Sequence, residues 1–347
     1  MGHFSLARVM ATAVAAVAFL TWSAGPLPTD TANGYPLSPH RRVGVYMTSY
    51  AMRDAERLDA ALAACASGRL NALVINVKNM HGEITYPSQI VAARNIGAVA
   101  GRIDLAALVD LLHARGVYVI ARQVLFYDPV LARAIGTQGP WVDPTDPRVV
   151  EYNLRVASEV AALGVDELQF DYVRFPDDAP IGGEHSARAE AIASFLDAAW
   201  RRLAGAVHLS VDVFGRVLWP WNARGTDPIG QILEEIAARV NLVSPMVYPS
   251  HYSERKYVDD PYLVVTEGLA SGAKRVETPL RPFLQAFERA IPRGMTLADY
   301  IRAQIRAAQS GGADGYLFWH ASCDYATLYN VLERLPASFP KAKTAAL

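Results

Sequence analysis

Asp171 and Asp212 are the residues best placed to do chemistry. Asp171 ends the apolar run Leu168-Gln169-Phe170, and the chain then breaks through Arg174, Phe175 and Pro176 into a loop. About forty residues later, His208-Leu-Ser-Val-Asp-Val-Phe-Gly215 repeats the device with Asp212. Paired carboxylates at strand ends are what glycosidic bond hydrolysis requires: one attacks or activates water, the other protonates the leaving oxygen. A carboxylate in so apolar a run must meet a cation or a polar pocket, because burying it alone is costly. The purely structural alternatives are an ion pair of Asp171 with Arg174 or Arg122, and an acceptor role for Asp212 toward a neighbouring Lys or Arg. In Val211-Asp-Val-Phe, alternation turns Asp212 away from both valines.

A scaffold that lines up strand ends is therefore needed, and the hydrophobic pattern supplies one. β-rich runs predict strands at Val43–Thr48, Ala72–Lys78, Tyr118–Val124, Glu167–Asp171, His208–Val213, Leu242–Tyr248, Thr278–Gln285 and Gly315–Trp319. Amphipathic helices are predicted between them at Asp54–Ala66, Leu105–Arg115, Pro147–Leu163, Arg188–Leu203, Ile229–Ala238, Tyr262–Ser271, Leu297–Gln309 and Tyr325–Leu335. This alternation predicts a single-domain (β/α)₈ barrel over residues 42–338, followed by a C-terminal tail, 339–347. An open doubly wound sheet is the alternative, but no Gly-rich phosphate loop follows the first strand.

In such a barrel the C-terminal strand ends carry the active site. Tyr46, Lys78, Asn79, Arg122, Arg174, Tyr248, His251, Gln285, Trp319 and His320 fall there, and Trp219 lies in the loop after the fifth strand. These are the candidate substrate-binding residues. The cations can hold a carboxylate charged, and the aromatic rings can stack on sugar faces or simply pack in the core. Glu83, in the loop after the second strand, is a spare carboxylate.

The composition excludes other classes. A net charge of −1 and the lack of a basic run argue against nucleic-acid binding. Two cysteines, Cys65 and Cys323, do not make a disulfide scaffold; they are expected as free thiols at opposite barrel ends. No zinc-ligand spacing occurs, so neither metal nor cofactor is expected. At the N-terminus, Arg8 followed by the apolar run Val9–Leu20 reads as an export signal over 1–23. An uncleaved anchor is the alternative. Residues 24–41 read as a linker, and the expected location is periplasmic or extracellular.

The blocks Gly44-Val-Tyr-Met-Thr-Ser49, Asn76-Val-Lys-Asn79, Phe170-Asp-Tyr-Val-Arg-Phe-Pro176, Val211-Asp-Val-Phe-Gly215 and Ser244-Pro-Met-Val-Tyr-Pro-Ser-His251 together carry a resemblance. They look like the putative glycoside hydrolase family of bacterial (β/α)₈ barrel proteins, long catalogued as a domain of unknown function. It is distantly similar to the α-amylase and α-galactosidase superfamilies. The resemblance spans roughly residues 42–335 and implies that Asp171, on strand 4, is the nucleophile of a retaining glycosidase. Amylase-like relatives usually carry glutamate on strand 5, where this chain has Asp212. An oligo- or polysaccharide is the expected substrate. The rival readings are a non-catalytic carbohydrate-binding barrel of the cell envelope and a barrel enzyme of other chemistry, such as a deacetylase or a metal-dependent hydrolase.

Overall fold

The computed structural model describes residues 36–177, 185–203, 205–225 and 227–339. Eight parallel strands, β1 (Arg42–Met47), β2 (Ala72–Lys78), β3 (Tyr118–Val124), β4 (Glu167–Asp171), β5 (His208–Phe214), β6 (Leu242–Met246), β7 (Phe283–Gln285) and β8 (Gly315–Trp319), close in chain order into a barrel. Around it lie α1 (Ala55–Ala66), α2 (Val91–Asn95), α3 (Leu105–His113), α4 (Pro129–Ile135), α5 (Pro147–Ala162), α6 (His185–Leu203), α7 (Leu233–Ala237), α8 (Arg255–Asp259), α9 (Pro261–Ala273), α10 (Leu297–Ser310) and α11 (Ala326–Glu333). The expected (β/α)₈ barrel is therefore present. The proposed signal segment and most of the C-terminal tail lie outside the described residues. No described helix is long and apolar enough to cross a membrane.

Helix starts follow capping chemistry. Asp54, Asp104, Asp146 and Asp260 accept first-turn N–H groups of α1, α3, α5 and α9, and Thr296 does so for α10. Several expected boundaries shift by one to five residues, and three of the shifts have a local cause. β7 shrinks to Phe283–Gln285 because Pro279 and Pro282, lacking N–H groups, interrupt its pairing. β6 stops at Met246, ahead of Tyr248 and Pro249, and α7 starts at Leu233 because Gly230 is left-handed. Both cysteines are free and buried.

Strand alternation sorts side chains between lumen and helices. On β4, Phe170 meets Phe195 of α6 with ring centroids 5.8 Å apart. The other face sends Glu167, Gln169 and Asp171 into the lumen as a rising column. At the barrel floor Glu167 accepts from the Tyr118 hydroxyl at 3.0 Å and from Ser210, and pairs with the fully buried Arg281.

One glycine shows how tightly the barrel closes. Gly315 opens β8 at φ 87°, and a Cβ there would collide with the Arg42 backbone of β1. Gly315→Ala is expected to cost roughly 2–4 kcal/mol from left-handed strain plus overpacking. This would be read as a lower urea midpoint with an unchanged slope.

Candidate functional site

At the C-terminal mouth, Arg122 from β3 grips Asp171 of β4. Its Nε donates to Oδ2 at 3.0 Å, and its Nη2 donates to the same oxygen. Nη1 donates to Asn76 Oδ1 on β2 at 2.9 Å, so three adjacent strands fix one guanidinium. Burial is the largest single influence on the Arg122 pKa and works to lower it, but the charge of Asp171, the neighbouring Tyr46 and Asp212, and the hydrogen bonding to Asp171 together outweigh it and hold the group above its ordinary value. The other carboxylate oxygen accepts from the Tyr172 N–H at 2.6 Å. Tyr172 has a φ of 54°, a left-handed turn uncommon for an aromatic residue, and this turn aims its N–H back at Asp171.

Asp212 stands one strand over. The β4–β5 register ends at Phe170↔Val211, and the next rung is Asp171 beside Asp212. The two backbones are thus about 4.8 Å apart. Asp212 is 2% exposed, against 6% for Asp171, and no described group hydrogen-bonds its Oδ1. Burial, then the charge of Asp171, pushes its pKa well above the ordinary aspartate value, with Arg122 and Arg281 opposing. Tyr248 is raised well above its ordinary value by burial and by the charges of Asp212 and Asp171, so it faces the pair as a neutral phenol.

Aromatic rings wall this centre. Tyr46 and Trp319 stack at 4.0 Å between centroids, and the Arg122 guanidinium lies 5.4 Å and 5.1 Å from their rings. Across the mouth, Tyr248, His251 and His320 gather about Phe287, at 5.8, 6.2 and 6.5 Å. Burial lowers the pKa of both histidines, helped at His251 by Arg289 and partly opposed at His320 by Asp324. They therefore stand as neutral hydrogen-bonding groups near pH 7.

Several expected contacts are corrected. Lys78 is 0% exposed and sits behind the barrel wall, with Nζ 2.8 Å from Asp128 and 3.2 Å from Asn153 of α5. A register shift between Asn76 and Lys78 puts Lys78 in phase with Gln123, and this bulge turns it from lumen to helices. It can touch neither Asp171 nor a sugar. Arg174 does not hold Asp171 either. It pairs with Asp177 at 2.8 Å, and its guanidinium lies among the rings of Trp141, Tyr172 and Phe214, still at the mouth. Gln285 is 0% exposed, bonding the carbonyls of Phe287 and Arg289, which makes it a brace for the rim rather than a sugar ligand. Asn79 closes the turn to Glu83, which Arg102 grips at 2.8 and 2.9 Å, so neither is available for chemistry. Trp219 stacks on Tyr257 at 5.4 Å and packs against Gly268 of α9, away from the carboxylates.

Tyr172, although inside the Phe170–Pro176 block, and Trp141 and Phe287 are not marked as site residues by the sequence. Tyr172 is recognisable only by its backbone, and the other two sit in loops whose return to the mouth is tertiary. Among the described residues no three His, Cys, Asp or Glu side chains are arranged to hold a metal.

A family model described as a putative glycosyl hydrolase domain matches residues 44–325. No curated protein matches the chain in a sequence search. Among solved structures, the glycoside hydrolase domain of PgaB from Bordetella bronchiseptica superposes with TM-score 0.62 at 14% identity, covering 85% of this chain and 99% of that one. An endo-1,4-β-mannanase from Rhizomucor miehei gives TM-score 0.62 at 12% identity, covering 85% and 95%. A hypothetical protein from Ruminiclostridium thermocellum is 32% identical over 49% of this chain and 97% of that one, with TM-score 0.44.

Proposed function

The chain belongs to the putative glycosyl hydrolase family, and from that premise we propose that it is an exported glycosidase cleaving an oligo- or polysaccharide with Asp171 and Asp212. The observation that carries this reading is the unequal environment of the pair. One carboxylate is clamped by a guanidinium; its neighbour is buried, without a hydrogen-bond partner on Oδ1, and favours its proton. Two carboxyl groups pushed apart in this way divide nucleophile from acid.

Asp171 attacks the anomeric carbon, and Asp212 gives its proton to the leaving oxygen. The resulting carboxylate on Asp212 then takes a proton from the water that hydrolyses the glycosyl-enzyme. Retention requires the carboxyl groups roughly 5–5.5 Å apart in the working complex, a span within reach of neighbouring strands. Trp319 and Tyr46 offer the platform for the sugar ring, with Tyr248, His251 and His320 for its hydroxyls. Export rests on the N-terminal apolar run.

Asp212→Asn is expected to lower turnover about 10²–10⁴-fold and to erase the alkaline limb of the pH–rate profile. Its effect on stability has the opposite sign. Because the folded pKa of Asp212 lies above its unfolded value of about 3.9, the unfolded chain binds fewer protons above that pH. Wild-type stability therefore declines as pH rises through that interval, and the Asn variant escapes the decline. At neutral pH its thermal midpoint should match or exceed that of wild type. The direct test is reducing-sugar release from bacterial exopolysaccharides and α- and β-glucans by both proteins. Release by wild type alone supports the reading. Tight binding without release by either would favour the carbohydrate-binding alternative.

A further inference from the structure

Beneath the two carboxylates a second hydrogen bond crosses the lumen. Gln169 of β4 donates Nε2 to Ser244 Oγ of β6 at 3.2 Å, which spans the intervening strand β5. Ser244 is the register partner of Asp212, and Gln169 that of Ser210, two residues below it. The Gln169 amide must therefore pass along the lumen face of β5 beside the Asp212 carboxyl. Two buried acceptors are left there without donors: Gln169 Oε1 and Asp212 Oδ1. With Asp212 charged, both would be acceptors and the site would hold two unsatisfied buried groups, an expensive arrangement. A neutral Asp212 resolves this with a single hydroxyl.

We propose that Gln169 is a positioning residue for Asp212: in the resting enzyme its amide oxygen accepts the Asp212 hydroxyl, and this selects the acid form of that side chain. The inference rests on Asp212 being the proton donor. On catalysis the carboxyl rotates about Cβ–Cγ and transfers that proton to the leaving oxygen. This leaves a carboxylate facing the Gln169 oxygen, an unfavourable pairing that drives its reprotonation by water. The charged and titratable groups facing Asp212 are Asp171 and Glu167 of β4, Arg122 of β3, Arg281 ahead of β7, and Tyr248 after β6. Gln169, which does not titrate, stands beside this set and decides which form of the acid is hydrogen-bonded.

The test titrates Asp212 without substrate. The carboxylic-acid band in the infrared difference between wild type and Asp212→Asn is followed across pH, then repeated in a Gln169→Met background. Methionine fills the same volume and keeps the site equally dry, but offers no amide acceptor. The titration midpoint is expected to fall by about one pH unit, a tenfold loss of proton affinity. Ser244→Ala, which frees the amide without removing it, should shift the midpoint the same way by less. It also supplies the answer should Gln169→Met fail to fold. In turnover assays the alkaline limb of kcat should move down with the titration while KM stays constant. An unchanged midpoint in folded variants would overturn the proposal. So would a raised one, because it would mean that the amide donates to a charged Asp212. Absence of sugar release from every polysaccharide would count against the glycosidase reading, whereas the infrared titration judges Gln169 independently.

Discussion

Asp171→Asn is expected to leave turnover on the order of 10⁴-fold or more below wild type, as removal of a nucleophile does, and to destabilise the protein as well. The second effect follows from Arg122. That guanidinium is buried, and its main anionic partner is Asp171, held through two N–H groups. Asparagine still accepts from the Tyr172 N–H but brings no charge. Breaking a buried pair from one side costs about 3–5 kcal/mol. Viewed from sequence alone, the same substitution looks harmless to stability, because the partner of Asp171 is undetermined among three cations. The double variant Asp171→Asn with Arg122→Met separates the two effects. Without either charge, much of the lost stability should return while activity stays absent. Thermal melts beside reducing-sugar assays check both.

The second large effect lies at the opposite end of the barrel. Arg281 and Glu167 are each 0% exposed and pair in the floor, with Tyr118 and Ser210 completing the carboxylate's hydrogen bonds. Arg281→Met should lower stability by about 3–5 kcal/mol by stranding Glu167. Adding Glu167→Gln should recover a large part of it, since the neutral amide can still accept from one of the Tyr118 and Ser210 hydroxyls and donate its NH2 to the oxygen of the other. Urea midpoints of the two variants measure the difference. Recovery would show that the floor is an electrostatic unit and not merely a packed layer.

How much of this was legible in sequence depended on how local its cause was. β2, β3, β4 and β8 have the predicted limits because each is a near-continuous apolar run bounded by turn residues. The inward turn of Asp212 followed from strict alternation past two valines. The same rule misplaced Lys78, because the bulge beside it has no signature in residue type. β7 was overextended because its prolines interrupt pairing without interrupting hydrophobicity. The choice among Arg122, Arg174 and Lys78 as the partner of Asp171 is tertiary. Arg174, nearest in sequence, is carried off by the reversal at Tyr172, whereas Arg122 arrives from the neighbouring strand. Similarly, Trp319 at a strand end and Trp219 in the loop after the fifth strand are both candidate sugar platforms from sequence. Only the packing of α8 and α9 takes Trp219 out of the mouth.

The most direct measurement of the central claim is a covalent trap. A fluorinated glycoside with a good leaving group, matched to whichever sugar the wild type releases, slows hydrolysis of a glycosyl-enzyme more than its formation. Peptide mass spectrometry then locates the label. The expected result is a single adduct on Asp171 in wild type, formed at a similar rate in Gln169→Met because an activated leaving group departs without a proton, and absent from Asp171→Asn. Turnover of the substrate with no adduct, or an adduct on another carboxylate, would contradict the assignment of Asp171 as nucleophile.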